Sequence, residues 1–247
     1  MTPRRLGQHF LSDPTILGRI AEALDPQPGE SVIEIGPGHG ALTKELLGRG
    51  LRVIAIEKDR GLAAALPAHD NLTVITGDAL ELDWHRFGAN KVIGNIPYYI
   101  TSPLIDKALA PPLPQRVIFL MQNEVAERIS APPGSKTFGA LSVGVQAVCR
   151  VERLFMVPPG AFRPPPKVKS ALVRLTPLTE PLVRPEEVAP LRTFVTACFS
   201  RRRKQLHNAV PGATAAGLTA LGFDPKARPE TLAPGDFVRL LRWSQQL

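Results

Sequence analysis

Two cysteines, Cys149 and Cys198, are too few for a disulfide framework or a cysteine-rich metal site. A reducing, cytosolic compartment is therefore expected. No apolar run approaches the roughly 20 residues that a membrane-spanning helix needs, and no membrane association is expected. Met1 to Phe10 is polar and Arg-bearing without an apolar stretch, so secretion is not expected either. A phosphate loop of the GxxxxGK[ST] kind is missing, which disfavours nucleoside triphosphate hydrolysis. His69, His85 and His207 show no ligand spacing, so no metal is expected.

What is present is a basic excess. Thirty Lys and Arg against twenty-two Asp and Glu give +8, a balance that suits a polyanionic partner. From Pro181 to Leu247 there are ten Lys and Arg against five Asp and Glu, so this stretch carries +5 of the total. The run Arg201-Arg202-Arg203-Lys204 lies in it. A solvated helix face is the plain alternative for such a run.

Apolar, β-branched runs alternate with helical ones through the first 180 residues. Strands are expected at Val32–Ile35, Arg52–Ile56, Leu72–Ile75, Lys91–Ile93 and Arg116–Met121, with helices at 41–49, 59–66, 102–109 and 123–129. Cys149–Val157 and Ala171–Leu175 leave little room for a helix between them and suggest a closing hairpin. The alternation implies an α/β fold with a parallel sheet covered on both faces. Pro177, Pro181, Pro185 and Pro190 then punctuate a polar stretch, after which only helical patterns follow. A division is expected there: residues 1–180 as a sheet domain, 181–247 as a small, basic helical domain.

The turn Gly36-Pro37-Gly38-His39-Gly40 follows the first long strand and opens a helix. Glycines allow close backbone approach to a ligand. Glu57 ends the next strand, 21 residues after Gly36. An acid at that place suits ribose hydroxyls, because ligands of open α/β sheets sit at the carboxyl ends of the strands. Asp78, after the third of these strands, suits an exocyclic amine. A nucleoside cofactor follows, but Gly36-x-Gly38-x-x-Ala41 also satisfies the dinucleotide pattern, which leaves NAD open at this point.

Asn95-Ile96-Pro97-Tyr98 follows the fourth strand. Methylating a nucleobase amine faces one obstacle: its lone pair is delocalised into the ring. A carboxamide oxygen from Asn95 and a nearby backbone carbonyl can accept the two N–H bonds of an adenine N6 and turn the lone pair out of plane. Pro97 fixes the direction of the carbonyl before it, and Tyr98 offers a face for stacking. Positioning and charge complementarity would supply most of the rate.

Several segments in register resemble the ribosomal RNA adenine N6,N6-dimethyltransferase family. They are 7–11, Glu34 to Gly40, Glu57-Lys58-Asp59, Gly77-Asp78-Ala79, Asn95 to Ile100, Met121 to Arg128 and Phe162 to Ser170. The resemblance implies a Rossmann-like class I methyltransferase sheet with a small C-terminal helical domain. It implies S-adenosylmethionine as methyl donor, with S-adenosylhomocysteine as product, held by His9, Leu11, Gly36, Gly38, Glu57, Asp78 and Asn95. Asn95, Pro97 and Tyr98 would carry the catalysis, and Phe162 would face the base opposite Tyr98. The implied substrate is two adjacent adenosines in the hairpin loop near the 3′ end of small-subunit ribosomal RNA, within an immature subunit. Arg4, Arg5, Arg201, Arg202, Arg203 and Lys204 would meet its phosphates. The related large-subunit methyltransferases of macrolide resistance are the alternative. His9 stands where the family more usually has Asn, and Tyr99 where Asn is frequent. A cytoplasmic monomer is expected.

Overall fold

The computed structural model describes residues 9–246, in which the chain divides into two compact units. Gly7, Gln8 and the basic pair Arg4 and Arg5 lie outside the described residues. Unit 1 extends to Ala108 and adds Pro112–Ala126 and Glu152–Thr176. Unit 2 comprises Leu109–Pro111, Glu127–Val151 and Pro177–Leu247.

The strands are β1 (Phe10–Leu11), β2 (Ser31–Ile35), β3 (Arg52–Glu57), β4 (Leu72–Thr76), β5 (Lys91–Asn95), β6 (Arg116–Gln122), β7 (Cys149–Val157), β8 (Phe162–Arg163) and β9 (Ser170–Pro177). Seven of them form one sheet in the order β4-β3-β2-β5-β6-β9-β7. β4, β3, β2, β5 and β6 run parallel, and β9 joins β6 antiparallel. The two strands expected to close the sheet, β7 and β9, thus form one side of it. β1 and β8 make a separate antiparallel pair, with Leu11 opposite Phe162.

The helices α1 (Pro14–Ala23), α2 (Ala41–Gly48), α3 (Arg60–Ala65) and α4 (Thr101–Ala108) accompany the sheet. α1 was not expected. Asp13 caps it by accepting from the Ile16 N–H at 3.0 Å, and Pro14 occupies its first turn. Its Leu17, Ile20 and Ala21 are buried in the core that Val32, Leu46 and Ile93 also share. Burying a leucine or isoleucine side chain stabilises by about 1.5–3 kcal/mol, enough to hold a ten-residue helix that would be marginal alone.

The connections set the position of the site. From β2 the chain winds to β3 and β4 on one side, then returns to place β5 on the other side of β2. The carboxyl ends of β2 and β5 therefore flank the point where strand order reverses, the place at which such sheets bind ligands. Gly94 keeps that point narrow: a Cβ there would stand 2.6 Å from the Ile35 carbonyl.

The chain leaves unit 1 within α5 (Asn123–Ile129) and returns within β7. Unit 2 contains α6 (Ala140–Gln146), α7 (Val188–Ser200), α8 (Leu206–Ala209), α9 (Ala215–Ala220) and α10 (Pro234–Ser244). The expected division left residues 127–148 with the sheet, whereas they cluster with the C-terminal helices, and the second unit resumes at Pro177. The reason is packing, because α7 lies against α6 as well as α10. Glu187, buried at the start of α7, takes a two-pronged bond from Arg242 (2.9 and 2.8 Å) and another from Arg184 at 3.2 Å. Those guanidiniums, Arg242 foremost, hold its carboxyl well below the usual carboxylate range.

Candidate active site

The turn after β2 is built on three left-handed glycines, with φ of +66° at Gly36, +57° at Gly38 and +79° at Gly40. At Gly38 the constraint is also steric, since a Cβ would come within 2.8 Å of the Phe10 ring. The Gly38 N–H donates to Glu57 Oε2 at 3.1 Å, and the Asp59 N–H donates to Glu57 Oε1 at 2.9 Å. The acid at the end of β3 is thereby buried and aimed at the glycine turn.

Asn95 ends β5 and faces the same hollow. Its Nδ2 donates to the His9 carbonyl at 2.9 Å, which leaves Oδ1 as an acceptor that no described residue engages. The Ile96 carbonyl is likewise without a donor among the described residues. Pro97, at φ −56°, follows it and fixes its direction. The Tyr98 hydroxyl meets Ser170 Oγ at 2.8 Å, so the ring is held while remaining half-buried. His9 sits 5.8 Å from that ring, centroid to centroid. Its Nδ1 lies 2.8 Å from the Pro164 carbonyl, and a carbonyl can only accept, so the proton resides on Nδ1.

Most of the expected residues therefore meet. His9, Gly36, Gly38, Glu57, Asn95, Pro97 and Tyr98 line one hollow. Leu11, with Gly36 and Asn95, lines the adjoining one. Asp78 lines a third, open hollow beside Lys58 and Gly77. Lys58 Nζ lies 2.7 Å from Asp78 Oδ2, and the Leu80 N–H donates to Oδ1 at 2.9 Å. Lys58 foremost holds the Asp78 carboxyl below its ordinary range, so it is an ionised acceptor.

Phe162 is a correction. It is fully buried among Leu11, Ile118 and Leu172, and lines neither of the first two hollows. Pairing of β8 with β1 turns its side chain into the core, so it offers no face opposite Tyr98. The basic run Arg201–Lys204 is a turn that follows α7, so the helix face named as the plain alternative is not what it forms. Arg202 there is half-buried and donates to the Lys136 carbonyl at 2.9 Å. Cys149 and Cys198 are buried, as expected, and burial pushes both thiols up to about 12.

Sequence reasoning passed over Glu34. It lies inside β2 with 1% of its surface exposed, and Thr43 Oγ1 donates to it at 2.7 Å. The signal was available: a charged residue in the apolar run Val32-Ile33-Glu34-Ile35. Burial, reinforced by the charge of Glu57, pushes its carboxyl up from 4.5 to about 7. The folded chain then holds this proton more tightly than the unfolded one. Stability from this group is full below pH 4.5 and is lost as pH rises through about 7. Thermal unfolding of wild type and Glu34→Gln between about pH 5 and 8 checks this. The variant should gain on wild type as pH rises, and a constant difference across that range sinks the assignment.

A family model described as ribosomal RNA adenine dimethylase matches residues 2–246. The chain belongs to the ribosomal RNA adenine dimethylase family. Among relatives, "Ribosomal RNA small subunit methyltransferase A" of Idiomarina loihiensis is 42% identical over 97% of this chain and 86% of its own. The protein of that name in Pseudomonas aeruginosa is 42% identical over 96% of this chain and 92% of its own.

Among solved structures, a dimethyladenosine transferase from Plasmodium falciparum matches with a TM-score of 0.84 at 29% identity, covering 96% of this chain and 98% of that one. The 23S rRNA methyltransferase ErmE matches at 0.71 and 29% identity, covering 94% and 98%. The family is one of class I methyltransferases, and its chemistry implies use of S-adenosylmethionine. The residues present suit that molecule: a glycine turn that admits no Cβ at position 38, a buried carboxylate for paired hydroxyls and an ionised Asp78 for an amine. Among the described residues no group of His, Cys, Asp and Glu is placed to hold a metal, and no helix is long and apolar enough to cross a membrane.

Proposed function

We propose that this chain transfers methyl groups to the N6 amines of two adjacent adenosines in the 3′-terminal hairpin loop of small-subunit ribosomal RNA, twice each, during subunit assembly. The observation that carries the reading is the pair of open acceptors, Asn95 Oδ1 and the Ile96 carbonyl, at the strand-order reversal beside the glycine turn. Small-subunit relatives at 42% identity support this substrate over the large-subunit one.

When bound, S-adenosylmethionine supplies an electrophilic methyl on a sulfonium. Gly36, Gly38, Leu11 and His9 would form its cradle, Glu57 would take its ribose hydroxyls, Asp78 its adenine amine, and Asn95 would border its reactive end. Asn95 Oδ1 and the Ile96 carbonyl accept the two N–H bonds of the target amine, which turns the nitrogen lone pair out of the ring plane. The His9 carbonyl keeps the carboxamide in that orientation by engaging its NH2 group. Tyr98, held by Ser170, stacks on the base, a contact worth about 1–3 kcal/mol. No strong base is required, because the nitrogen becomes acidic once alkylated and releases its proton. After the first transfer one N–H remains, which either acceptor can hold for the second.

A base in a loop costs little to unstack into such a hollow. Arg203 and Lys204, exposed in the turn after α7, would meet RNA phosphates. The chain would act as a cytoplasmic monomer. Methyl transfer to immature small subunits, compared with naked large-subunit RNA, tests the reading, with mapping of the modified bases. Dimethyladenosine at two adjacent loop positions of the small-subunit RNA is expected. Modification confined to large-subunit RNA would return the macrolide-resistance alternative.

A further inference from the structure

Arg202 does not behave like its neighbours in the basic turn. Its Nη2 donates inward to the carbonyls of Lys136 (2.9 Å) and Ser135 (3.4 Å), and its Nε lies 3.7 Å from Glu230 Oε2. The Gly134 N–H in turn donates to the Glu230 carbonyl at 2.6 Å. Three separate stretches of unit 2 are thereby tied together: 134–136, 201–204 and the short turn Pro229–Thr231. The side chains left outward are cationic. Lys136, Arg203 and Lys204 are exposed, and their side-chain charges meet no ion-pair or hydrogen-bond partner among the described residues. The one carboxylate at this junction, Glu230, is faced by Arg202.

We infer that Lys136, Arg203 and Lys204 form a single surface for the phosphates of the RNA backbone, in which Arg202 positions Lys136 rather than touching phosphate itself. This rests on the function proposed above. With Nη2 on two carbonyls and Nε toward a carboxylate, only Nη1 of this guanidinium is left for an outside anion. The loop it grips brings a cation from far away in sequence into the same field. Two consequences of losing Arg202 follow together: the 134–136 loop is released, and the Glu230 charge stands uncompensated beside the cations. None of the exposed large apolar side chains among the described residues belongs to 134–136, 201–204 or 229–231, so a polyanion fits this surface better than a hydrophobic protein segment.

The test measures binding of the full-length protein to immature small subunits across a salt series, with S-adenosylmethionine affinity as the check on folding. Lys136→Ala should lower the slope of log K against log salt by about 0.7–0.9, one phosphate contact. Arg203→Ala/Lys204→Ala should lower it by about twice that. Arg202→Ala should weaken binding, and adding Lys136→Ala to it should cost little more, because the lysine is already displaced. Arg202→Lys should behave like Arg202→Ala, since one ammonium cannot hold the 135–136 carbonyls and face Glu230 from a second nitrogen, whereas it would serve for a bare phosphate contact. Additive losses at 202 and 136 with rescue by Lys, or an unchanged slope in Lys136→Ala, overturn the proposal alone. Unchanged binding in Arg203→Ala/Lys204→Ala overturns the docking role of the turn as well.

Discussion

Asn95→Ala is expected to lower kcat by about 10²–10³-fold, the range seen when one preorganised polar group is taken from a transition state. That is about 2.7–4 kcal/mol of barrier. Asn95 Oδ1 is one of two acceptors that no described residue occupies, and its orientation is fixed because Nδ2 is anchored on the His9 carbonyl. Removing the side chain leaves the Ile96 carbonyl as sole acceptor, so the amine is no longer held by both hydrogens. Base stacking on Tyr98 is untouched, and KM for the RNA should move far less than kcat. Single-turnover methylation of immature subunits under saturating donor measures the chemical step directly. A rate within about threefold of wild type, where the loss of a working polar group costs far more, would remove Asn95 from the chemistry.

Asn95→Asp separates orientation from mere acceptance. The carboxylate keeps acceptor oxygens but cannot donate to the His9 carbonyl, and it faces that carbonyl with like polarity. A rate nearer to Ala than to wild type is expected. The same substitution leaves β5 in place, because the side chain lies at the end of the strand and not in its ladder.

The strands of unit 1 were legible because their side chains are β-branched and apolar over the whole run, as in Val32-Ile33 and Val117-Ile118. Sheets buried on both faces demand that. The site was legible for a related reason: glycine at 36, 38 and 40, the acid at 57 and Asn95 are all at strand ends, where the local pattern breaks. α1 was missed although Asp13-Pro14 is a helix-start signal, since its ten residues with Gly18 among them are marginal alone and are held by burial of Leu17, Ile20 and Ala21. α6 was harder. Its Ala-Leu-Ser-Val-Gly-Val has poor helix propensity, and it is held by packing against α7, which no local pattern records. β1 and β8 are two residues each, too short for any periodicity. Their pairing is what buries Phe162, so the error at that residue follows from a long-range contact. The basic turn shows the same limit: four like residues in a row differ in role because one of them finds carbonyls 66 positions away.

Gly38→Ala should raise the dissociation constant for S-adenosylmethionine by at least about 100-fold, equivalent to about 3 kcal/mol. Two penalties combine at this residue. An L-side chain at φ +57° costs about 1–2 kcal/mol for the backbone alone. A Cβ would also stand 2.8 and 2.9 Å from two carbons of the Phe10 ring, distances that force something to move. Phe10 is poorly placed to yield, being packed on His39 at 4.3 Å and held in β1 against β8. The turn must shift instead, and the bond from its N–H to Glu57 lengthens. Gly88 provides the control, with φ +65° and no atom within 4 Å of a built Cβ. Gly88→Ala should carry the backbone penalty as a lowered unfolding temperature while donor affinity stays at the wild-type value. Calorimetric titration of both variants reads the difference. Equal donor affinity in Gly38→Ala and wild type would mean that the turn after β2 does not hold the methyl donor, whatever its glycines do for the fold.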